Sequence, residues 1–163
     1  AANDDGIKAA SIYMFSYMVM NVAIFAILLS LKVKNQYLIN ISDLKGLSKS
    51  NPIISLSISI IMLSMAGIPP FIGFFGKFYV FIAAIEQELY LLSVLGVLAS
   101  VISAFYYLRI IKIMYFDESK SEGIINFQIS FQSKIILSLS LFVIICFIFY
   151  PSLLINISAS LTI

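Results

Sequence analysis

Lys77 is the residue in this chain best placed to do chemistry. It lies in "LSMAGIPPFIGFFGKFYVF", residues 63–81, seven positions after Pro70 and with no acidic residue nearby in sequence. An ammonium in apolar surroundings is costly to keep charged, so a neighbouring carboxylate or access of water can switch its protonation, as a proton carrier requires. Gly73, one helical turn earlier, and the adjacent Gly76 remove side-chain bulk beside it and let another helix or water approach. Gly67, Pro69 and Pro70 should open the helix just before it, because the prolines donate no N–H and clash with carbonyls one turn back. Little else in the sequence is reactive. There is no His and one Cys, Cys146, so the chain cannot build a zinc, haem or iron–sulfur site alone. We expect no cofactor and no metal here, with any redox step elsewhere. Cys146, within "LFVIICFIFY", reads as an inert apolar thiol.

The elements that must position Lys77 are membrane helices. Of the 163 residues, 61% are hydrophobic and 11% charged, and the mean hydropathy of +1.07 lies outside the range of soluble domains. The net charge of +2 is small and scattered, which excludes a nucleic-acid footprint. The chain opens "AANDDGIKAA", without an initiator Met or the features of a signal peptide, so it reads as processed or as a piece of something longer. Ile, Phe, Asn, Lys, Ser and Tyr are favoured over Ala, Gly and Arg, which hints at an A+T-rich, organelle-encoded gene.

Crossing about 30 Å of hydrocarbon takes about 20 apolar helical residues, and four stretches qualify, about 9–31, 52–85, 89–111 and 135–154. The fold class expected is therefore all-α: a single partial transmembrane domain over 1–163, forming part of a larger helix bundle. Lys32, Lys34, Lys45 and Lys49 crowd the first connection, and Arg109, Lys112 and Lys120 the third. The second, "EQE" at 86–88, has Glu86 and Glu88 and no basic residue. The positive-inside rule puts the basic connections on the cytoplasmic or matrix side and the acidic one opposite. The second stretch is too long, since its roughly 34 residues would make a straight helix of about 50 Å. A break at Gly67–Pro70 resolves this, giving a discontinuous helix of a kind tolerated only where protein or a water-filled cavity satisfies the freed backbone groups.

Lys77 is the only charge well inside any of the four stretches. A Lys near the centre of a span costs about 2.5–3.5 kcal/mol. Snorkelling is the plain alternative to function, but Glu86 lies about 13 Å further along the helix, roughly twice the reach of the side chain. Ser55, Ser57, Ser59, Ser64, Ser100 and Ser103 could line a water path, although interhelical hydrogen bonding explains most of them more simply. Tyr106 and Tyr107, beside Arg109, read as an interfacial aromatic anchor.

The segment 63–81, together with "SAFYYLRIIKIMYFDE" (103–118), "DLKGLSKSNP" (43–52) and "YMFSYMVMNVAIFAILLSL" (13–31), resembles the antiporter-like membrane subunits of respiratory complex I, NADH dehydrogenase subunit 2 in particular. The likeness is strong over about 10–120 and weak in the last stretch. It implies a bundle of fourteen helices built on inverted repeats, with the present spans as helices 11 to 14, the break in helix 12, and Lys77 at that helix's proton-carrying position. The first ten helices are absent, together with the Lys and Glu of the first half-repeat. A separate chain supplying them, other membrane-arm subunits and lipid are the partners implied. The function implied is proton translocation within NADH:ubiquinone oxidoreductase in the mitochondrial inner membrane, or alternatively in a bacterial plasma membrane. A secondary cation/proton antiporter component and a purely structural piece of a bundle are the competing readings.

Overall fold

A computed structural model describes residues 3–33, 36–37, 40–118, 125–127 and 131–146. The chain begins with helix α1 (Asp4–Leu28). Asn3 caps it by accepting the Gly6 N–H at 3.0 Å, and Asp4 and Asp5 in its first turn complement the helix dipole. Two short strands follow, β1 (Leu31–Val33) and β2 (Gln36–Tyr37), then a 3₁₀ turn (Ile41–Leu44) and a one-turn helix α2 (Leu47–Ser50). Helices α3 (Pro52–Ala66) and α4 (Ile72–Glu86) are the halves of one interrupted element, and α5 (Tyr90–Phe116) returns beside them. Strand β3 (Ile125–Phe127) and helix α6 (Phe131–Cys146) complete the described residues.

The described residues are all-helical in class, as expected, with one small addition. β2, β1 and β3 form a small antiparallel sheet in that order, with Lys32 opposite Tyr37 on one side and Asn126 on the other. It arises because "LKV" and "INF" leave the helices as short extended runs whose backbone groups pair with each other. The expected boundaries also move: the first helix starts at Asp4, and the third continues to Phe116. Of the stretch expected at 135–154, residues 135–146 lie in α6, and Pro151 and Leu154 fall outside the described residues.

Two of the described helices, α1 and α5, are long and apolar enough to cross a membrane. α3 and α4 have 15 residues each, about 22 Å apiece, and neither alone covers the roughly 30 Å of a hydrocarbon core. Their interior is apolar with embedded hydroxyls. Ile24 and Ile27 of α1, Ile58 and Ile61 of α3 and Met114 of α5 are buried, as are Ser16, Ser55, Ser57, Ser59 and Ser64. α5 turns the other way: Leu91, Leu95, Leu98, Val101, Ile102 and Phe105 are exposed, whereas Ser93 is buried. A helix whose outer face is greasier than its inner one suits lipid or further helices better than water.

The β1–β3 pairing joins the segments after α1 and after α5, and Lys45 meets Asp117 at 3.9 Å in the same region. Both basic connections therefore share one end of the bundle. At the other end, Asp5, Lys8 and Glu86 surround one cleft. The positive-inside rule predicts that the sheet end faces the cytoplasm or its equivalent. In vesicles of known orientation, protease should cut residues 32–51 only from that side; cleavage from the opposite face would reverse the orientation.

Candidate functional site

The chain breaks after Ala66 because Gly67 turns left-handed, at φ +84°, a conformation that glycine adopts without steric penalty. Two N–H groups then fold back on α3: Gly67 donates to the Ser64 carbonyl at 3.0 Å and Ile68 to the Leu63 carbonyl at 3.1 Å. This is a Schellman ending. It leaves the carbonyls of Met65 and Ala66 without a backbone partner, and a helix end buried without partners for its last carbonyls would be unstable. Lys77 supplies them. Its Nζ donates to the Met65 carbonyl at 3.0 Å and to that of Ala66 at 3.2 Å, so the last four carbonyls of α3 are all satisfied. A cation at a helix C-terminus is also favoured by the dipole.

Lys77 thus reaches back across the break, away from Glu86, and neither ion pair among the described residues includes it. An ammonium has three donors, and the carbonyls use two.

Each glycine permits a close approach. A Cβ on Gly67 would lie 3.0 Å from Lys77 Cδ. One on Gly73 would collide with the Ser64 carbonyl, where α4 crosses α3, and the Gly73 N–H donates to Ser64 Oγ at 3.2 Å. Ser64 Oγ in turn contacts Met20 Sδ of α1 at 3.1 Å, so one hydroxyl ties three helices together. A Cβ on Gly76 would sit 3.3 Å from the Tyr13 Cα of α1. Gly73 therefore lies against α3 and Gly76 against α1. Pro69 and Pro70 occupy the connection to α4, and their shared peptide bond is cis.

Beside Lys77 is a cavity of about 370 Å³ between α1, α4 and α5, whose polar lining comes from Tyr13, Tyr17, Lys77, Ser100, Ser103 and Tyr107. The serines divide by role. Ser100 and Ser103 face this cavity, although Ser103 also donates to the Ala99 carbonyl at 2.9 Å. Ser57 and Ser59 bond back to their own helix, to the Ile53 carbonyl at 2.9 Å and that of Ser55 at 2.8 Å, and neither borders this cavity. Ser55 Oγ is buried with no hydrogen-bond partner among the described residues.

The reading of Tyr107 as an interfacial anchor is corrected. It lies about 6 Å past the midpoint of α5 and borders the cavity together with Tyr17 of α1, whereas Tyr106 is exposed. Sequence reasoning missed Tyr13 and Tyr17. Their signal was a spacing of four in an otherwise apolar helix, which stacks the rings on one face with centroids 5.8 Å apart.

Comparison with known proteins identifies the family. The family described as "NADH:quinone oxidoreductase/Mrp antiporter, TM" matches residues 1–103. NADH-quinone oxidoreductase subunit N of Pelagibacter ubique is 46% identical over 161 residues, 99% of this chain and 34% of that protein. The subunit N of Parvibaculum lavamentivorans is 53% identical over 119 residues, 73% of this chain and 25% of its own length. The chain thus spans about a third or less of these relatives. A chain in the structure of respiratory complex I from Thermus thermophilus with bound aureothin has the same fold, with a TM-score of 0.78 at 23% identity over 92% of this chain and 34% of that one. The present chain belongs to the NADH:quinone oxidoreductase/Mrp antiporter transmembrane family.

Proposed function

We propose that this chain is part of a proton-translocating membrane subunit of an NADH:quinone oxidoreductase, and that Lys77 takes up and releases a proton at the broken helix. One observation carries the reading: the Lys77 ammonium is held at the break by two carbonyls and borders a cavity with hydroxyls on its walls. The relatives named subunit N support it, subunit N being the counterpart of subunit 2. The subunit carries no electron-transfer centre in this reading; it contributes proton movement to an oxidoreductase whose redox chemistry lies in other chains.

The bundle is completed by further helices. Four transmembrane crossings, with α3 and α4 jointly making one, fit the alternation of connections. The cavity is open on the side of Tyr17 and Ala99, both exposed, and the outer face of α1 carries exposed Met14, Met18, Val22 and Phe25. A lone ammonium also needs a partner to tune its proton affinity. We therefore place against α1 a separate chain that brings at least one intramembrane Lys and one Glu. The named relatives are bacterial, so the mitochondrial inner membrane expected from residue usage is unsupported and a bacterial plasma membrane is the location we propose.

Purification of the assembly tests this. The chain should co-purify with NADH:quinone reductase activity, and a structure should show the second chain on α1 with an ionisable group or water chain reaching Lys77. Lipid in contact with the Lys77 cavity would refute the relay and the partner together. The family description also covers antiporters, and an assembly that exchanges cations for protons without any quinone reductase would favour that second reading.

A further inference from the structure

We propose that the groove between α3 and α6, at the end of the bundle that carries the basic connections, binds an anionic phospholipid, with Lys134 on its phosphate and an acyl chain over Ile54, Leu137 and Leu141. The proposal needs only that the chain spans a membrane. It is independent of Lys77 and of proton movement.

Two helices that start at the same end build the groove. α3 begins at Pro52, just after Lys45 and Lys49, and α6 begins at Phe131, shortly after the strand that pairs with β1. Lys134, Leu137, Ser138 and Leu141 are spaced by three, one and three, which places them on one face of α6. They face Asn51, Ile54 and Ser57 of the first turns of α3 across a cavity of about 450 Å³, a size that suits part of a lipid or another small ligand. From Lys134 to Leu141 the groove runs about 10 Å along the helix axis. Its mouth is polar and its floor is apolar.

The charge at the mouth is one-sided. Lys134 is exposed and is the fourth residue of α6, a cation in the first turn, where the helix dipole favours an anion. No Asp or Glu borders the groove, and neither ion pair among the described residues includes Lys134. On the opposite wall α3 starts without a side-chain cap, and the N–H groups of Ile53 and Ile54 have no acceptor among the described residues. A phosphate oxygen answers an ammonium and backbone donors together. A soluble phosphate would leave the apolar floor uncovered. A further helix would cover the floor, but it would have to bring a carboxylate to Lys134 and acceptors to the α3 amides at once. A phospholipid carries both parts in one molecule, and the positive-inside rule turns this end of the bundle to the leaflet in which anionic lipid gathers.

The test uses the assembled complex in nanodiscs of phosphatidylcholine containing a trace of phosphatidylglycerol with a photoactivatable group near the top of one acyl chain. After irradiation the labelled residues are mapped by mass spectrometry. Label should fall on residues 53–57 and 137–141. Excess unlabelled phosphatidylglycerol should lower it at least about fivefold, and Lys134→Gln should do the same, whereas inorganic phosphate should not compete. Lys134→Arg should keep the label, because a guanidinium also binds phosphate. Lys112→Gln, exposed on α5 at the same end, should keep it too, which separates this groove from a general attraction of lipid to basic residues. Equal labelling by a phosphatidylcholine probe, or full labelling in Lys134→Gln, would reduce the groove to ordinary lipid contact and overturn the site. Displacement by inorganic phosphate would make it a site for a free anion, and absence of label from both segments would mean that protein fills the groove; either result overturns the proposal.

Discussion

Lys77→Met and Lys77→Arg should each lower proton translocation by the assembled complex at least about tenfold, a barrier change of roughly 1.4 kcal/mol, yet only the first should weaken the broken helix. Arg stays protonated at any ordinary pH. It can still donate to the Met65 and Ala66 carbonyls, which lie 3.0 and 3.2 Å from Nζ, and the adjoining cavity of about 370 Å³ accommodates its larger head. It cannot release a proton. Met removes charge and donors together, leaving two carbonyls at the end of α3 to water. A hydrogen bond to a charged group contributes roughly 1.5–3 kcal/mol, and the loss here should fall near the low end because cavity water can replace the ammonium. Translocation is read in vesicles, and stability by thermal inactivation of the purified complex. Both variants should still assemble and bind NADH. A fully assembled Lys77→Met complex that pumps like the wild type would reduce this residue to a helix cap.

How legible this site is in sequence depends on which part is local. The break is local: Gly67, Pro69 and Pro70 forbid a continuous helix, whatever packs around them. The length argument for two half-helices is local too, and the structure has them at Pro52–Ala66 and Ile72–Glu86. What Lys77 binds is not local. Its partners are main-chain carbonyls, which every residue has, so no residue type advertises them. Tyr107 was misread for a related reason. Its neighbours Tyr106 and Arg109 suggest an interface, but the angular position of a residue on α5 decides whether it points outward like Tyr106 or into the cavity. The tyrosine spacing in α1 was visible, but its meaning required knowing that α4 and α5 close around it. The short sheet escaped because β1 and β3 are three-residue segments about ninety positions apart, and periodicity over so few residues carries no signal.

Gly73→Ala should be far more damaging than the same change at Gly76 or Gly96. The new Cβ would run into the Ser64 carbonyl, and that carbonyl cannot swing aside: it belongs to the last turn of α3 and accepts the Gly67 N–H at 3.0 Å, in the turn that breaks the helix. α4 must move away instead. Overpacking of this kind costs about 1–3 kcal/mol and occasionally more, and helices in a membrane depend on such close backbone contacts to associate. The movement also carries Lys77, one turn further along α4, away from Met65 and Ala66, and pulls Gly73 N–H from Ser64 Oγ. Gly76→Ala should be milder, because its Cβ would sit 3.3 Å from Tyr13 Cα and a shift of a few tenths of an ångström relieves it. Gly96→Ala should be milder still: the obstruction at 2.7 Å is the far edge of the Phe81 ring, which can rotate. The yield and thermal stability of the purified complex should therefore fall in the order Gly96→Ala, Gly76→Ala, Gly73→Ala, with the last losing translocation as well. Wild-type yield and stability for Gly73→Ala would mean that α4 does not cross α3 at Ser64, and the carbonyl cradle of Lys77 would go with that crossing.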